Sequence, residues 1–196
     1  MAEKMDITKK KCTTPLFRAS YCAVFEPKAF KDQEPKYSLT MLFEKSEDLK
    51  ELKRAAHNAK IEKWGPKEKW PKNLKSPFRD GDADKPDSPE YADKIFVSAR
   101  SKEAPQVVDR NPKIRLLTTE DFYSGFFARA TLIAFAYDTA GNKGVSFALQ
   151  NVQKWKDGPK LSGRKDASEE FESLENEDDG SENAENYEET DADLDI

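Results

Sequence analysis

The sequence predicts a mainly β protein: a barrel of five to six strands with a helical insertion, followed by a disordered acidic C-terminal tail. Three observations predict it. Several segments alternate aromatic or β-branched residues with small or polar ones, the period of a half-buried strand. A single stretch carries apolar residues at helical spacing. The charge is also divided along the chain. The 196 residues carry a formal net charge of −5, yet Asp166–Ile196 holds 15 acidic residues and no Lys or Arg. Residues 1–165 therefore hold 23 acids against all 33 bases, a net of +10. A basic body bears a polyanionic tail, and the average conceals both.

The elements follow in order. Residues 1–14 read as a flexible basic arm around Lys9-Lys10-Lys11. Residues 15–164 form one domain, with 46–93 as a helix-plus-loop insertion, and 165–196 are the tail. Leu16–Glu26 alternates Phe17, Ala19, Tyr21, Ala23 and Phe25 against its other residues and predicts a strand ended by Pro27. Lys36–Phe43 repeats the pattern, with Tyr37, Leu39, Met41 and Phe43 on one face. Ser46 reads as a helix N-cap, with Glu47 and Asp48 in the first turn. Leu49, Leu52, Ala56 and Ala59 then share one side of a helix that stops at Gly65-Pro66.

The next stretch, to Pro89, reads as irregular, pinned by Trp64, Trp70, Leu74 and Phe78, with a turn at Asp80-Gly81-Asp82. Strands return at Ile95–Arg100 and Gln106–Val108. Thr119–Tyr123 reads as one helical turn. Phe126–Tyr137 and Lys143–Lys156 are the strongest strands, joined by a hairpin loop over residues 138–142. This pattern favours a barrel of the OB type.

No apolar run approaches the length of a membrane-spanning helix, and the polar N-terminus lacks the apolar core of a secretory signal. Cys12 and Cys22 are too few for a disulfide framework and read as free thiols in a reducing cytosol. Enzyme signals are weak. His57 is the sole histidine and sits mid-helix, which argues against Ser–His or Cys–His catalysis and against a His-rich metal site. Asp80-Gly81-Asp82-Ala83-Asp84 starts like a calcium loop, but Lys85 and Tyr91 stand where that loop needs Gly and Glu. No glycine-rich phosphate loop is present. The sequence implies no cofactor and no metal.

The positive signal is basic charge interleaved with aromatic side chains. Phosphates attract Lys and Arg with little sequence preference, and exposed bases need flat apolar partners. Phe127, Arg129, Thr131, Ile133, Phe135 and Tyr137 share one strand face, and Arg129 and Arg100 mark their faces as outward. Such a surface suits a nucleic acid, and it also suits an acidic protein.

Beyond composition, Phe122–Ala130 (FYSGFFARA) and Phe135–Lys154 resemble a family of bacteriophage and prophage single-stranded-DNA-binding proteins. So do Phe25–Phe30 with Lys36-Tyr37-Ser38, Arg79–Asp82 with Lys85-Pro86, and Val107–Arg110. The resemblance spans roughly residues 16–163. It implies an OB-fold protein that coats single-stranded DNA during phage replication or recombination in the cytoplasm of a bacterial host. The acidic tail is similar to those with which such proteins recruit replication proteins and compete with DNA. Bacterial tails of this kind end in an aromatic residue, whereas this chain ends in Ile196. The helix follows the second strand, where many OB-folds place theirs after the third.

The resulting expectation is a non-catalytic binding protein. Arg18, Arg100, Lys102, Arg110, Arg129, Lys143 and Lys154 contact phosphates, and Tyr37, Phe96, Phe135, Tyr137 and Trp155 stack on bases. Asp191, Asp193, Leu194, Asp195 and Ile196 meet partner proteins, and tails exchanged between protomers allow a homodimer. The rivals are a metal-dependent nuclease acting on single strands and a protein-interaction module with a basic face.

Overall fold

The computed structural model describes residues 9–29, 33–139 and 141–161. The expectations for residues 1–8 of the arm and for the tail, including Asp191, Asp193, Leu194, Asp195 and Ile196, lie outside the described residues. The strands are β1 (Lys11–Thr13), β2 (Phe17–Lys28), β3 (Lys36–Glu44), β4 (Arg79–Asp80), β5 (Lys94–Ser101), β6 (Gln106–Val108), β7 (Phe127–Thr139) and β8 (Asn142–Lys156). Helix α1 (Lys50–Trp64) lies between β3 and β4, and the short α2 (Gly81–Asp84) follows β4.

Pairing closes a ring. β7 pairs β2, β2 pairs β3, β3 pairs β5, β5 pairs β8, and β8 returns to β7. The β5–β8 contact is parallel and the other ring contacts are antiparallel. This is the five-stranded OB topology, which removes sheet edges by closure. β1 adds to β7, β6 adds to β8 and β4 adds to β5.

The alternation read from the sequence turns one face of each strand inward. β3 directs Leu39, Met41 and Phe43 into the core, β5 directs Val97 and Ala99, and β8 directs Val145, Phe147 and Leu149. β7 supplies Ala128, Ala130, Leu132 and Ala134, all buried. Its alanines leave room for the larger side chains of the opposing strands, as a narrow barrel requires. Each fully buried Phe or Leu in this set contributes roughly 1.5–3 kcal/mol.

Helix α1 packs on β7, β1 and β8. Leu49, Leu52, Ala56 and Ala59 are buried as the spacing predicts, joined by Ala55 and Asn58. The Asn58 amide donates to the Lys9 carbonyl at 2.9 Å, tying the helix to the chain entering β1. At the other end Gly65 (φ 77°) ends the helix, its N–H donating to Ile61 O.

Several boundaries differ from the sequence reading. The helix starts at Lys50, not after Ser46. Residues 45–47 are used in a turn in which Glu47 N–H donates to Glu44 O, and the Asp48 carboxylate accepts from Lys50 N–H. Residues 119–123 make the single expected turn, with Phe122 N–H donating to Thr118 O and no helix continuing from it; Thr118 and Asp121 cap it reciprocally, the Asp121 carboxylate accepting from Thr118 N–H and the Thr118 hydroxyl accepting from Asp121 N–H. The arm becomes strand at Lys11–Thr13, where Cys12 is buried. The β2 strand runs through Pro27 to Lys28, since its register is already interrupted between Ala23 and Lys28 and no ladder N–H is needed there. The β7–β8 pairing runs further than expected: Asp138 pairs Lys143 and Thr139 pairs Asn142, and Gly141 stands at φ 81°.

Candidate nucleic-acid interface

Along Lys36–Thr40 and Ser98–Arg100 the outward positions of β3 and β5 are small or basic: Lys36, Ser38 and Thr40 on one, Ser98 and Arg100 on the other. Short side chains here leave a hollow of about 600 Å³ over β2, β3 and β5. Thr40 and Ser98 exchange a hydroxyl hydrogen bond at 3.0 Å across its floor. Lys28, Lys36, Arg79, Lys85 and Arg100 line its sides, with Glu34 as the one carboxylate among the described lining residues.

One end of the groove is aromatic. The 3₁₀ turn Pro89–Tyr91 delivers Tyr91 into the wall, where its hydroxyl meets Ser20 Oγ at 3.1 Å. Burial raises the Tyr91 phenol pKa and the Ser20 hydrogen bond lowers it in part, so the ring is uncharged at neutral pH. Phe96 stands edge-on to Tyr91, with centroids 5.0 Å apart and planes at 87°. The Arg79 guanidinium lies over Phe96 at 4.7 Å. On the rim, Tyr21 is 61% exposed at a bulge with φ 46°, and Lys85 Nζ is 5.7 Å from its ring centroid. A non-glycine residue at positive φ is strained, and such strain clusters at ligand sites.

The segment that carries Arg79 is held firmly. Asp80 caps α2 by accepting from Asp82 N–H at 3.0 Å. Asp82 accepts from Asp93 N–H at 2.9 Å, and Lys45 pairs both Asp80 (3.2 Å) and Asp82 (2.6 Å). The hydrogen bond from Lys45 holds the Asp82 carboxyl below its ordinary pKa. Gly81 is required for a close approach: a Cβ there falls 2.0 Å from the Tyr91 carbonyl oxygen.

The expected contact residues do not converge. Arg100 and Phe96 belong to the groove, and Lys102 pairs with Glu34 at 2.6 Å. Phe96, however, is only 2% exposed between Tyr91 and Arg79, so it supports the wall rather than presenting a face to a base. Tyr37 falls on the inward register of β3 with Leu39, Met41 and Phe43, not on the groove side with Lys36 and Ser38.

The others lie elsewhere on the barrel. Arg18 donates to Pro159 O at 3.1 Å. Arg129, Phe135 and Tyr137 share the outward face of β7, where Arg129 donates to Gln153 at 2.8 Å. Lys143 pairs with Asp138, and Lys154 is 18% exposed and pairs with Asp157. Arg110 lies 4.9 Å over Trp155, which is 42% exposed. Arg129 also borders a second hollow of about 400 Å³ between β6 and β7–β8. The sequence reading missed Lys28, Lys36, Arg79, Lys85, Tyr21 and Tyr91 as groove residues.

Comparison with known proteins decides the family. A model of the family described as Enterobacter phage Enc34, ssDNA-binding protein, matches residues 10–181. The chain belongs to this family. The Enc34-family match contains every residue of the groove. A curated relative, protein p50 of Acyrthosiphon pisum secondary endosymbiont phage 1, is 36% identical over 170 residues, covering 80% of this chain and 90% of the relative. The solved structure of the single-stranded DNA-binding protein from bacteriophage Enc34 in complex with ssDNA is 25% identical, with a TM-score of 0.68 over 78% of this chain and 90% of that one. The fold is shared with gp2.5, a single-stranded DNA binding protein encoded by bacteriophage T7, at a TM-score of 0.52 and 17% identity over 85% of this chain and 99% of that one. The Enc34 family is one of binding proteins, and this chain is not an enzyme.

Proposed function

We propose that the chain binds single-stranded DNA with little sequence preference, laying it along the groove over β2, β3 and β5. The observation that carries this is the joining of a cationic rim to the exposed Tyr21 ring and to the Arg79 guanidinium over the aromatic end wall, the pairing of backbone attraction with flat stacking surfaces that single strands use. Membership of the Enc34 family supports it. Lys28, Lys36, Lys85 and Arg100 meet phosphates, and Tyr21 and Arg79 meet bases. The acidic tail, residues 165–196, competes for the groove and recruits replication or recombination proteins through Asp191–Ile196. Its 15 negative charges and the body's +10 support an intramolecular contest. The protein acts in the cytoplasm of a phage-infected or lysogenic bacterium.

Two titrations by fluorescence anisotropy test this. The full chain binds a labelled oligothymidine and binds a duplex of equal length more weakly; equal affinity for the two refutes preference for single strands. Removing residues 166–196 tightens binding at low salt, and unchanged affinity refutes competition by the tail.

A further inference from the structure

Resting on the reading that single-stranded DNA lies in this groove, we propose that Arg79 serves as a flat platform on which a nucleobase stacks, rather than as a phosphate contact. Three features support it. The first is its seat. Arg79 is the residue of β4 paired directly with Phe96 of β5, and its guanidinium lies 4.7 Å over the Phe96 ring. That ring is itself fixed edge-on by Tyr91, whose hydroxyl is held by Ser20. A guanidinium plane is weakly hydrated and stacks readily on aromatic faces.

The second feature is its orientation. Arg79 Nε and the Asp84 carboxylate are 3.1 Å apart. The ion pair occupies one edge of the donor fork and offsets its charge, so the side chain is a weaker phosphate ligand and a better-ordered plane. Asp84 is free for this role because Lys45 neutralises the neighbouring Asp80 and Asp82. The third is access. The Arg79 side chain is 48% exposed, whereas Phe96 beneath it is 2% exposed. A base entering this end of the groove meets the guanidinium, not the phenyl ring. The pile then runs Tyr91, Phe96, Arg79, base.

Substitution tests this in the full chain. Arg79→Lys keeps the charge and removes the plane. It should weaken binding of an oligothymidine by about 5- to 100-fold, the range for losing one base stack. The slope of log affinity against log salt should not change. Lys36→Ala, a phosphate contact, should instead flatten that slope by about 0.7. On a strand of abasic sites Arg79→Lys should bind like the parent chain, because no base remains to stack. Asp84→Asn releases the guanidinium and should reproduce part of the Arg79→Lys loss on oligothymidine alone. Arg79→Lys binding oligothymidine as the parent does overturns the platform. So does an equal loss on the abasic strand. Failure of the parent chain to bind oligothymidine at any salt overturns the functional reading, and the platform with it.

Discussion

Ionic strength gives a quantitative test of which surface meets DNA. With Arg79 proposed as a stacking group, Lys28, Lys36, Lys85 and Arg100 are the proposed phosphate contacts of the groove. Each contact on a single strand contributes about −0.7 to the slope of log affinity against log salt, so the four together give about −2.8. Raising salt from about 50 to about 200 mM then weakens binding about 50-fold. Were all ten excess charges of the body engaged, the slope would approach about −7 and the loss about 10,000-fold. The assay is anisotropy of a labelled oligothymidine at five or six salt concentrations, with the tail-less chain run in parallel to remove its contribution. Lys36→Ala and Lys85→Ala together should bring the slope to about −1.4. Arg129→Ala with Lys143→Ala, on the β7–β8 face, should leave it unchanged. A parent slope shallower than about −1, or a larger change from the β7–β8 pair than from the groove pair, refutes the assignment.

Further outcomes follow from packing and titration. Gly81→Ala places a Cβ 2.0 Å from the Tyr91 carbonyl oxygen, an overpacking cost of about 1–3 kcal/mol. It should lower the melting temperature by roughly 2–10 °C in a thermal scan and weaken DNA binding by displacing Arg79. Tyr91→Phe leaves the buried Ser20 hydroxyl without its 3.1 Å partner, and urea unfolding should show a loss of about 1–2 kcal/mol. Burial pushes the Cys12 thiol up to about 11 and the Cys22 thiol up to about 12. Both should resist iodoacetamide at pH 8 in the folded chain and react promptly in urea. The same shifts make stability level below the ordinary thiol value of 9.0 and falling as pH rises from there toward 11–12, because only the unfolded chain loses these protons in that window.

The sequence exposed the barrel better than the groove. Four ring strands, β3, β5, β7 and β8, agree with their period-two patterns to within one or two residues, because the core needs one buried face on each. β4 was illegible, since two residues, Arg79 and Asp80, cannot show a period. β1 was hidden in a polar arm for the same reason, its three residues revealing only Cys12 as apolar. The site suffered a different ambiguity. Arg129 correctly marks the outward face of β7, but every strand of a closed barrel has an outward face, and only curvature and flanking turns make one of them concave. Tyr37 shares its face with the buried Leu39, Met41 and Phe43, so on β3 its neighbours Lys36 and Ser38 are the ones facing the groove. The groove lysines Lys28, Lys36 and Lys85, with Arg79, did stand in the stretches that carried the family resemblance. Arg79 and Lys85 show no period, because they lie on β4 and just after α2 in the Pro- and Asp-rich connection between α1 and β5.

The charge partition can now be placed on the molecule. A body at +10 could attract phosphate anywhere its cations stand uncompensated. On the β7–β8 hairpin two of them are compensated: Lys143 pairs with Asp138 at 3.1 Å and Lys154 with Asp157 at 2.7 Å. Away from the groove the same holds for Lys10 with Glu62, Lys45 with Asp80 and Asp82, and Lys94 with Glu44. Exposed pairs of this kind add little stability, but each cancels the field its lysine would present. Among the described residues, no carboxylate comes within 4.0 Å of the charged ends of Lys28, Lys36 or Lys85. The groove is therefore one place where positive charge is left for a ligand to neutralise, and there it stands beside Arg79, Phe96 and Tyr91. A phosphate that docks at Lys28, Lys36 or Lys85 gains charge compensation that the described carboxylates do not supply, and a phosphate at Lys143 or Lys154 must first displace one.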